Sequence, residues 1–407
     1  MNADALRREI AALDAAATAL RARPAERVVA ALGATLERFR DANAPERQRL
    51  EAALPRAVGF SAPVVQAGLE RALAPWTADA FAALAERELH CDGVWAKGAA
   101  STAVILAGSL PMPSLLGMLA PLAARSPTRV KPASRDPLTP TLVAEALAAV
   151  DPDLARALRV TPAASDDEDA MGVLLEAACV VATGSDATVD AIAARIAPSQ
   201  RLLRHGHKLS LAWLGPEATG AELARAAAGL AVDVCLWDQL GCLSPLAIFV
   251  AGDTDACQAV GAALGEALDH QSAAWPRGAV PADAQAAQAH ERANAELRAA
   301  AEGRVALFRG DPHPWTVVCE ADLGVRPAPL YRFVRVHPLG DTPVETALAP
   351  YARHLAGVAL AGHADPDTAE ARMRALGASW VCAPGQLQAP PLEWPRGGMP
   401  VLGSLVP

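Results

Sequence analysis

A cysteine on a turn is the strongest candidate for chemistry in this sequence. Residues 232–250 read V-D-V-C-L-W-D-Q-L-G-C-L-S-P-L-A-I-F-V, a helix-like run that turns at Gly241 and restarts as an apolar strand after Pro245. The pattern places Cys242 on the turn, where a thiol can meet a substrate while rigid elements hold it. Most cysteines are small core residues. Cys242 is therefore a candidate nucleophile, with a core role as the ordinary alternative.

A hydroxyl and a lysine follow two other strand-like runs. Ser109 lies in G-S-L-P after the first clear strand, where its hydroxyl could donate a hydrogen bond to a developing oxyanion or simply form a turn. Lys131 lies in V-K-P-A-S at the end of another strand, where it could point at a ribose or a phosphate. A solvated lysine at the edge of a sheet is the common alternative.

The segment Thr183-Gly184-Ser185 lies between an apolar strand and a helix. A helix N-terminus offers unpaired N–H groups and a partial positive charge, and a glycine lets an anion approach closely. A plain N-cap made by Ser185 explains the same residues and is the commoner case. The six-residue glycine fingerprint of dinucleotide-binding folds is absent from this sequence.

Two histidines close together suggest a metal at first sight. His205 and His207 flank Gly206, and a His-x-His pair can place two imidazoles on one face of a strand. No third ligand of suitable spacing follows nearby. The sequence therefore predicts no metal site, and the two histidines are ordinary strand or core residues.

The elements around these residues alternate in type. Residues 1 to about 90 show apolar positions at helical spacing, with predicted breaks at Pro24, Pro45 and Pro55. Beyond Val94, short apolar strands alternate with helices of ten or more residues. That alternation predicts an α/β fold with parallel sheets behind an N-terminal helical segment.

Composition and charge limit the function. The chain has 407 residues, 52% hydrophobic and 20% charged, which is typical of a folded protein of two or three domains. A net charge of −9 without a basic run argues against nucleic-acid binding. Apolar runs are too short or too broken for a membrane span. Seven scattered cysteines without a C-x-x-C pair fit reduced thiols in the cytoplasm.

Five motifs occur in an informative order. They are G-S-L-P, V-K-P-A-S, V-V-A-T-G-S-D-A, G-H-K-L-S and D-Q-L-G-C-L-S-P. In this order the sequence resembles the aldehyde dehydrogenase superfamily, and within it the acyl-CoA reductase branch of bacterial luminescence systems. The resemblance covers about residues 100 to 250. It implies an aldehyde dehydrogenase-like fold of two parallel-sheet domains, cofactor-binding and catalytic, with the active site between them.

The resemblance also implies roles for single residues. Cys242 takes the place of the acylated nucleophile, and Ser109 stands where relatives have an asparagine that binds the oxyanion. The segment Thr183-Gly184-Ser185 matches the turn that holds the cofactor pyrophosphate, and Lys131 matches a lysine near the adenosine ribose. Ser134 stands where NAD-selective relatives carry a ribose-binding glutamate, which leaves room for the 2′-phosphate of NADPH.

One further departure concerns hydrolysis. Arg204 takes the place of the glutamate that activates water in hydrolytic aldehyde dehydrogenases. Without that base an acyl-enzyme is less prone to hydrolysis, which suits reduction of a thioester. The resemblance therefore implies an NADPH-dependent reductase that takes an acyl-CoA or an acyl-carrier substrate, forms an acyl-cysteine and releases an aldehyde. It also implies an acyl-transferring protein partner and a homo-oligomer.

Two other functions stay open. An NAD(P)-dependent aldehyde dehydrogenase running toward oxidation is disfavoured by Arg204 and Ser134. A catalytically silent acyl-binding subunit of a fatty-acyl complex is suggested by Ser109 and by Leu240, where relatives have a glutamine two residues before the cysteine. The predicted organisation is an N-terminal and NAD(P)-binding domain at 1–205, a catalytic cysteine domain at 206–375, and a segment at 376–407 that returns to the cofactor domain.

Overall fold

A computed structural model describes residues 3–406, except for the side chains of residues 3–5, 14 and 302. Met1, Asn2 and Pro407, with which the predicted domain ranges begin and end, lie outside the described residues. The chain divides into two compact units. Unit 1 comprises the chain up to Val58, Ala72–His207 and the segment from Pro391 onward, and unit 2 comprises Gly59–Arg71 and Lys208–Pro390.

This division differs from the predicted ranges in three places, and the smallest difference is a boundary after His207 rather than after residue 205. The segment 59–71 belongs to unit 2, because Phe60 and Gly68 both pack against the buried ring of Trp237. The return to unit 1 begins at Pro391 rather than at residue 376. The residues before it stay with unit 2, because the short strand Trp380–Cys382 pairs with its sheet.

The described chain opens with helices, as the spacing of its apolar residues predicts. Val28, Leu32 and Leu36, spaced by four, are fully or almost fully buried along one face of the second helix. The predicted break at Pro55 is wrong: this proline lies inside the third helix, near its end, where it removes one backbone donor without stopping the helix. The helices are α1 (Ala3–Ala22), α2 (Ala25–Arg40), α3 (Pro45–Val58), α4 (Ala62–Leu73) and α5 (Ala78–Leu89).

Unit 1 contains a five-stranded parallel sheet preceded by a small hairpin. Its edge strand Arg201–His205 was not predicted, because two arginines hide its apolar pattern. The elements are β1 (His90–Cys91), β2 (Val94–Trp95), β3 (Thr102–Ile105), α6 (Pro111–Ala123), β4 (Thr128–Lys131), α7 (Leu138–Val150), α8 (Pro152–Ala155), β5 (Leu158–Val160), α9 (Glu168–Leu175), β6 (Cys179–Thr183), α10 (Asp186–Ala193) and β7 (Arg201–His205).

The strand order of this sheet is β5-β4-β3-β6-β7. The chain moves outward from β3 to β4 and β5, then crosses back to place β6 on the other side of β3. The order therefore reverses between β3 and β6. In open parallel sheets, ligands bind outside the carboxyl ends of the strands at such a reversal.

Unit 2 contains a seven-stranded sheet in the order β10-β11-β12-β9-β8-β13-β14, parallel except for β10. The elements are β8 (Leu209–Leu214), α11 (Gly220–Cys235), β9 (Pro245–Val250), α12 (Thr254–Ala274), α13 (Ala282–Glu302), β10 (Ala306–Arg309), β11 (Thr316–Cys319), β12 (Phe333–Pro338), α14 (Val344–Leu348), β13 (Leu355–Ala361), α15 (Pro366–Ala375) and β14 (Trp380–Cys382). The predicted α/β class, with two mainly parallel sheets and an N-terminal helical segment, is confirmed.

One strand of unit 2 contradicts its sequence pattern. The predicted helix 346–355 gives way at Leu348 to a short 3-10 turn, and β13 follows with the residues L-A-G-V-A-L-A. Alanine and glycine have low strand propensity, but β13 pairs with β8 on one side and β14 on the other. Tertiary pairing therefore overrides the local preference. Along the described chain, no helix combines the length and apolarity needed to cross a bilayer.

Candidate active site

The turn that carries Cys242 begins with strained backbone. Helix α11 ends at Cys235, and the next residues include Trp237, Asp238 and Gln239, with φ angles of 55°, 47° and 65°. Residues other than glycine rarely adopt these left-handed backbone conformations, and each such residue costs of the order of 1–3 kcal/mol. The surroundings must therefore supply contacts that hold this turn.

Gln239 supplies one set of those contacts from a fully buried position. Its Nε2 donates to the carbonyls of Pro245 at 2.8 Å and Phe333 at 3.0 Å, and its Oε1 accepts from the Phe333 N–H at 2.9 Å. Pro245 begins β9 and Phe333 begins β12. One amide side chain thus joins the turn to the start of two adjacent strands.

Asp238 supplies a second anchor. Its Oδ1 accepts two hydrogen bonds from the guanidinium of Arg332, at 2.7 and 3.0 Å, and its Oδ2 accepts the Gly278 N–H at 2.9 Å. Both charged side chains are buried. Burial raises the pKa of Asp238, and the Arg332 guanidinium opposes that shift. A buried ion pair with several satisfied groups fixes the direction of the chain before the cysteine.

Cys242 is exposed on the turn that these anchors hold. The Ser244 N–H donates to the Gly241 carbonyl at 3.0 Å and closes the turn around the cysteine. The Cys242 carbonyl accepts a hydrogen bond of 2.8 Å from the hydroxyl of Ser210, at the start of β8. Ser210 was part of the G-H-K-L-S motif, but sequence reasoning gave it no role.

The other cysteines differ from Cys242 in their surroundings. Cys179, Cys235, Cys257 and Cys319 are buried, and Cys382 is half-buried. Burial raises the pKa of the Cys179, Cys235 and Cys382 thiols, which disfavours their reactive thiolate forms. Cys91 is exposed, but it lies in the small hairpin of unit 1. Cys242 is therefore the exposed thiol on a held turn in unit 2.

A loop near the end of unit 2 also contacts this turn. Gln388 donates from Nε2 to the Ser244 hydroxyl at 2.9 Å. Asp233, buried in α11, accepts the N–H groups of Gly385 at 2.7 Å and Leu387 at 3.1 Å. Burial raises the pKa of Asp233 to about 7, although these hydrogen bonds oppose the shift. Neither Asp233 nor Gln388 was singled out from the sequence.

The candidate cofactor residues lie in unit 1, at the carboxyl ends of three neighbouring strands. Lys131 ends β4, Thr183 ends β6, and Ser109 follows β3 between them in space. Their sheet reverses its strand order at β3 and β6. The fold therefore brings together residues that are up to 74 positions apart in the sequence, while Cys242 belongs to unit 2.

Gly184 and Ser185 form the turn between β6 and α10. The Ser185 hydroxyl accepts the Thr188 N–H at 3.2 Å and caps the helix. The Gly184 N–H donates to the carbonyl of His205 at 3.1 Å. The Asp186 carboxylate accepts the His207 N–H at 2.8 Å. A hydrogen bond thus connects the Asp186 carboxylate, at the start of α10, to the segment that follows β7.

Lys131 is buried, with 3% of its surface exposed, so its interpretation as a solvated edge residue is wrong. Its Nζ donates to the adjacent Pro132 carbonyl at 3.3 Å, and burial lowers its pKa. An ammonium group has three donors. Ser134 and Arg135 follow on an exposed turn closed by the bridge between Ala133 and Asp136.

Ser109 lies in the bend after β3 and is 5% exposed. The preceding Gly108 has φ of 92°, which lets the chain bend sharply at the end of the strand. Ser109 therefore lies just beyond the carboxyl end of β3, in the bend that this glycine begins.

The histidine pair does not form a metal centre. Burial and the nearby Arg396 guanidinium lower the pKa of His205 to about 4, whereas His207 is exposed. Among the side chains that the structure describes, no group of three His, Cys, Asp or Glu residues is arranged to hold a metal ion. Arg204 lies on the surface beside Asp190 and forms an ion pair with it.

Known structures of aldehyde dehydrogenase type share this fold. An oxidoreductase from Marinobacter aquaeolei matches 100% of this chain and 90% of its own with a TM-score of 0.75 at 18% identity. A putative aldehyde dehydrogenase from Burkholderia cenocepacia matches 100% of this chain and 91% of its own with a TM-score of 0.73 at 17% identity. The protein therefore has the aldehyde dehydrogenase fold, as the five motifs predicted.

The sequence comparison defines the family. The acyl-CoA reductase (LuxC) family matches residues 95–406, and the chain belongs to that family. It is 32% identical over 154 residues to a long-chain acyl-protein thioester reductase of Vibrio harveyi, covering 37% of this chain and 31% of the relative. The corresponding protein of Aliivibrio fischeri is 26% identical over 241 residues, 58% of this chain and 48% of the relative. The matches span less than half of either relative.

Proposed function

We propose that this protein reduces an acyl thioester to an aldehyde through an acyl group carried on Cys242. The observation that carries the proposal is the exposed thiol on a turn fixed by Gln239 and Asp238, in a chain of the acyl-CoA reductase family. A rigid turn presents the nucleophile at a defined position, which lowers the entropic cost of the attack.

The first step transfers the acyl group. The Cys242 sulfur, as thiolate, attacks the thioester carbonyl; the new carbon–sulfur bond forms, and the carbon–sulfur bond to the donor breaks. The donor leaves as a thiolate and takes up a proton, and it is the thiol of coenzyme A or of a carrier protein. In the resemblance, Ser109 stands where relatives bind the oxyanion, and we propose the same role for its hydroxyl.

The residues of unit 1 suit a nicotinamide dinucleotide. The Lys131 ammonium group donates to one backbone carbonyl, that of Pro132, and has further N–H donors for a ligand. It lies beside the reversal of strand order, where such cofactors bind in parallel sheets. The first turn of α10 would face the pyrophosphate through its N–H groups, with Thr183 and Gly184 beside it. When bound, the reduced cofactor would supply a hydride to the acyl carbon, so that the acyl group would leave as an aldehyde and Cys242 would be regenerated as a thiol.

The turn after Lys131 favours NADPH as the reductant. Ser134 carries no negative charge, and Arg135, which has no ion pair among the described side chains, follows it on the exposed turn. A guanidinium binds a phosphate group in a bidentate manner. A carboxylate at position 134 would instead repel the 2′-phosphate.

Whether the acyl group on Cys242 is hydrolysed or reduced depends on the side chains that surround it. Arg204, which replaces the glutamate of hydrolytic relatives in the resemblance, is paired with Asp190 on the surface. An arginine is always protonated and cannot act as a general base toward water. We therefore infer that reduction is favoured over hydrolysis, and that the enzyme runs toward the aldehyde rather than toward oxidation.

The test follows NADPH oxidation by the absorbance of the cofactor with a panel of acyl-CoA and acyl-carrier substrates. We expect turnover in the wild type, none in Cys242→Ala, and full turnover in Cys91→Ala, which removes the exposed cysteine of the hairpin. Turnover that survives Cys242→Ala would contradict the mechanism. An acyl adduct on Cys242 without turnover on any substrate would instead support a silent acyl-binding subunit.

A further inference from the structure

We propose that Ser210 is a positioning residue for Cys242, an assignment that rests on the proposed function of that cysteine. Its hydroxyl donates to the Cys242 carbonyl at 2.8 Å and accepts the N–H of Gly357 at 3.0 Å. Ser210 is completely buried. The proposed nucleophile is therefore connected to an interior strand of the sheet, β8, by one side chain 32 residues earlier in the sequence.

The sheet is irregular where this hydroxyl lies. On one side, Ser210 pairs with Pro245 while Leu211 pairs with Ala247, so that Leu246 is left out of register. On the other side, Leu209 pairs with Leu355 and Ser210 with Gly357, which leaves out Ala356. Bulges of this kind interrupt the ladder of backbone hydrogen bonds and redirect side chains. The Ser210 hydroxyl takes over the role of a backbone acceptor for Gly357 at that interruption.

Gly357 provides the space that this arrangement needs. A Cβ atom at position 357 would lie 2.8 Å from the Ser210 Oγ, 3.0 Å from Leu387 Cδ2 and 3.1 Å from Leu243 Cδ2. Any other residue would push the serine or the turn away. The absence of a side chain at Gly357 thus keeps Ser210 in reach of both hydrogen-bond partners.

The consequence for Cys242 follows from the planarity of the peptide bond. The hydrogen bond that holds the Cys242 carbonyl fixes the plane of the peptide bond after Cys242. The hydrogen bond from the Ser244 N–H to the Gly241 carbonyl closes the turn around the cysteine. Removing the Ser210 hydroxyl would release this peptide plane. Misplacement of a reacting group by about 1 Å can slow a reaction about 100-fold.

The experiment compares Ser210→Ala with Ser379→Ala, a serine of the same unit whose hydroxyl also donates to a backbone carbonyl, that of Ala356 at 3.2 Å. The first measurement is the rate at which coenzyme A thiol is released from an acyl-CoA without NADPH, with the adduct on Cys242 located by mass spectrometry. We expect Ser210→Ala to release thiol about 10- to 100-fold more slowly at saturating substrate. Its KM should stay within about threefold, and Ser379→Ala should release thiol at the wild-type rate.

Ser210→Thr keeps the hydroxyl and is expected to restore most of the rate, which a loss of packing alone would not explain. If Ser210→Ala does not fold, Ser210→Cys fills the same space with a weaker hydrogen-bonding group and is expected to be about tenfold slower. An unchanged acylation rate in the folded variant overturns the inference. Absence of any Cys242 adduct in the wild type would instead overturn the proposed function, so the two failures are distinguishable.

Discussion

At the scale of single residues, the candidate active site depends on side chains that satisfy the backbone of a strained turn. Trp237, Asp238 and Gln239 have left-handed backbone conformations without being glycine. Their cost is offset by buried hydrogen bonds that run from this turn to β9, β12 and Arg332. The D-Q part of the D-Q-x-x-C-x-S-P motif thus has a structural explanation: both side chains hold the path of the chain to Cys242.

Gln239→Ala should therefore destabilise the protein. It removes three buried hydrogen bonds and leaves the Phe333 N–H and the Pro245 carbonyl without that partner. Because unsatisfied buried groups cost about 1–3 kcal/mol each, we expect the free energy of unfolding to fall by about 2–5 kcal/mol. Denaturant unfolding measures this loss. Gln285→Ala removes an exposed side-chain hydrogen bond to Val280 and should change stability by less than about 0.5 kcal/mol.

Equal stability of the two glutamine variants would contradict the assigned role of Gln239. A fall in stability with normal thiol release would show that Gln239 supports the fold without influencing Cys242. The two measurements together separate stability from positioning at this residue.

At the scale of elements, helix α11 and the loop 384–388 are joined by one buried carboxylate. Asp233 accepts two backbone N–H groups of the loop, and Gly229 lets the Pro384 backbone approach the helix closely. Gln388 continues this connection to the Ser244 hydroxyl, two residues after Cys242. The end of unit 2 is therefore connected to the turn through hydrogen bonds between three separate segments.

Stability should depend on pH through Asp233. Its pKa is about 7 in the folded protein, above the ordinary 3.8, so between about pH 4 and pH 7 the folded state binds more protons than the unfolded state. The free energy of unfolding of the wild type, relative to that of Asp233→Asn, should therefore fall as pH rises through this window. The slope should reach at most about 1.4 kcal/mol per pH unit and vanish above about pH 7.

Parallel denaturant titrations of the two proteins at pH 4 to 8 measure this difference. Comparison with Asp233→Asn cancels the contributions of all other titrating groups that the two proteins share. A difference that is constant with pH, or that rises with pH, would contradict the raised pKa of Asp233.

At the scale of the whole molecule, each unit has its own mainly parallel sheet, and the proposed tasks divide between them. Unit 1 places Ser109, Lys131 and Thr183 at one edge of its sheet. Unit 2 holds Cys242 on a turn after α11. The chain spans both units and belongs to the acyl-CoA reductase family over residues 95–406.

Binding of NADPH should protect unit 1 in a pattern that the fold predicts. We expect slower amide hydrogen exchange at Lys131–Asp136 and in the first turn of α10, and a raised melting temperature. At a concentration 100 times Kd, binding stabilises by about 2.7 kcal/mol. Lys131→Met should weaken both effects. Ser134→Glu should weaken binding of NADPH more than binding of NADH.

Protection by NADH equal to that by NADPH in the wild type would contradict the cofactor preference. Absence of protection at both segments would contradict the assignment of the cofactor site, whatever the activity of Cys242. The exchange experiment therefore tests the cofactor site independently of turnover.

The sequence by itself determined the features that depend on local patterns. Alternating strands and helices predicted the α/β class, and the motif around Cys242 predicted a turn between a helix and a strand, because glycine, proline and apolar spacing act over a few residues. The family resemblance also followed from motifs in order. Two strands of the large sheets were not predicted: Arg201–His205, where arginines mask the pattern, and Leu355–Ala361, whose small residues have low strand propensity.

Only the tertiary structure decided how distant residues meet. Lys131 is buried rather than solvated because it ends an interior strand of a covered sheet. Asp238 and Gln239 each have a hydrogen-bond partner 94 residues further along the chain, Arg332 and Phe333. The Ser210 hydroxyl reaches the Cys242 carbonyl because two register shifts fall at the same point of the sheet. Strand pairing and burial set these contacts, and no local pattern encodes the register between strands.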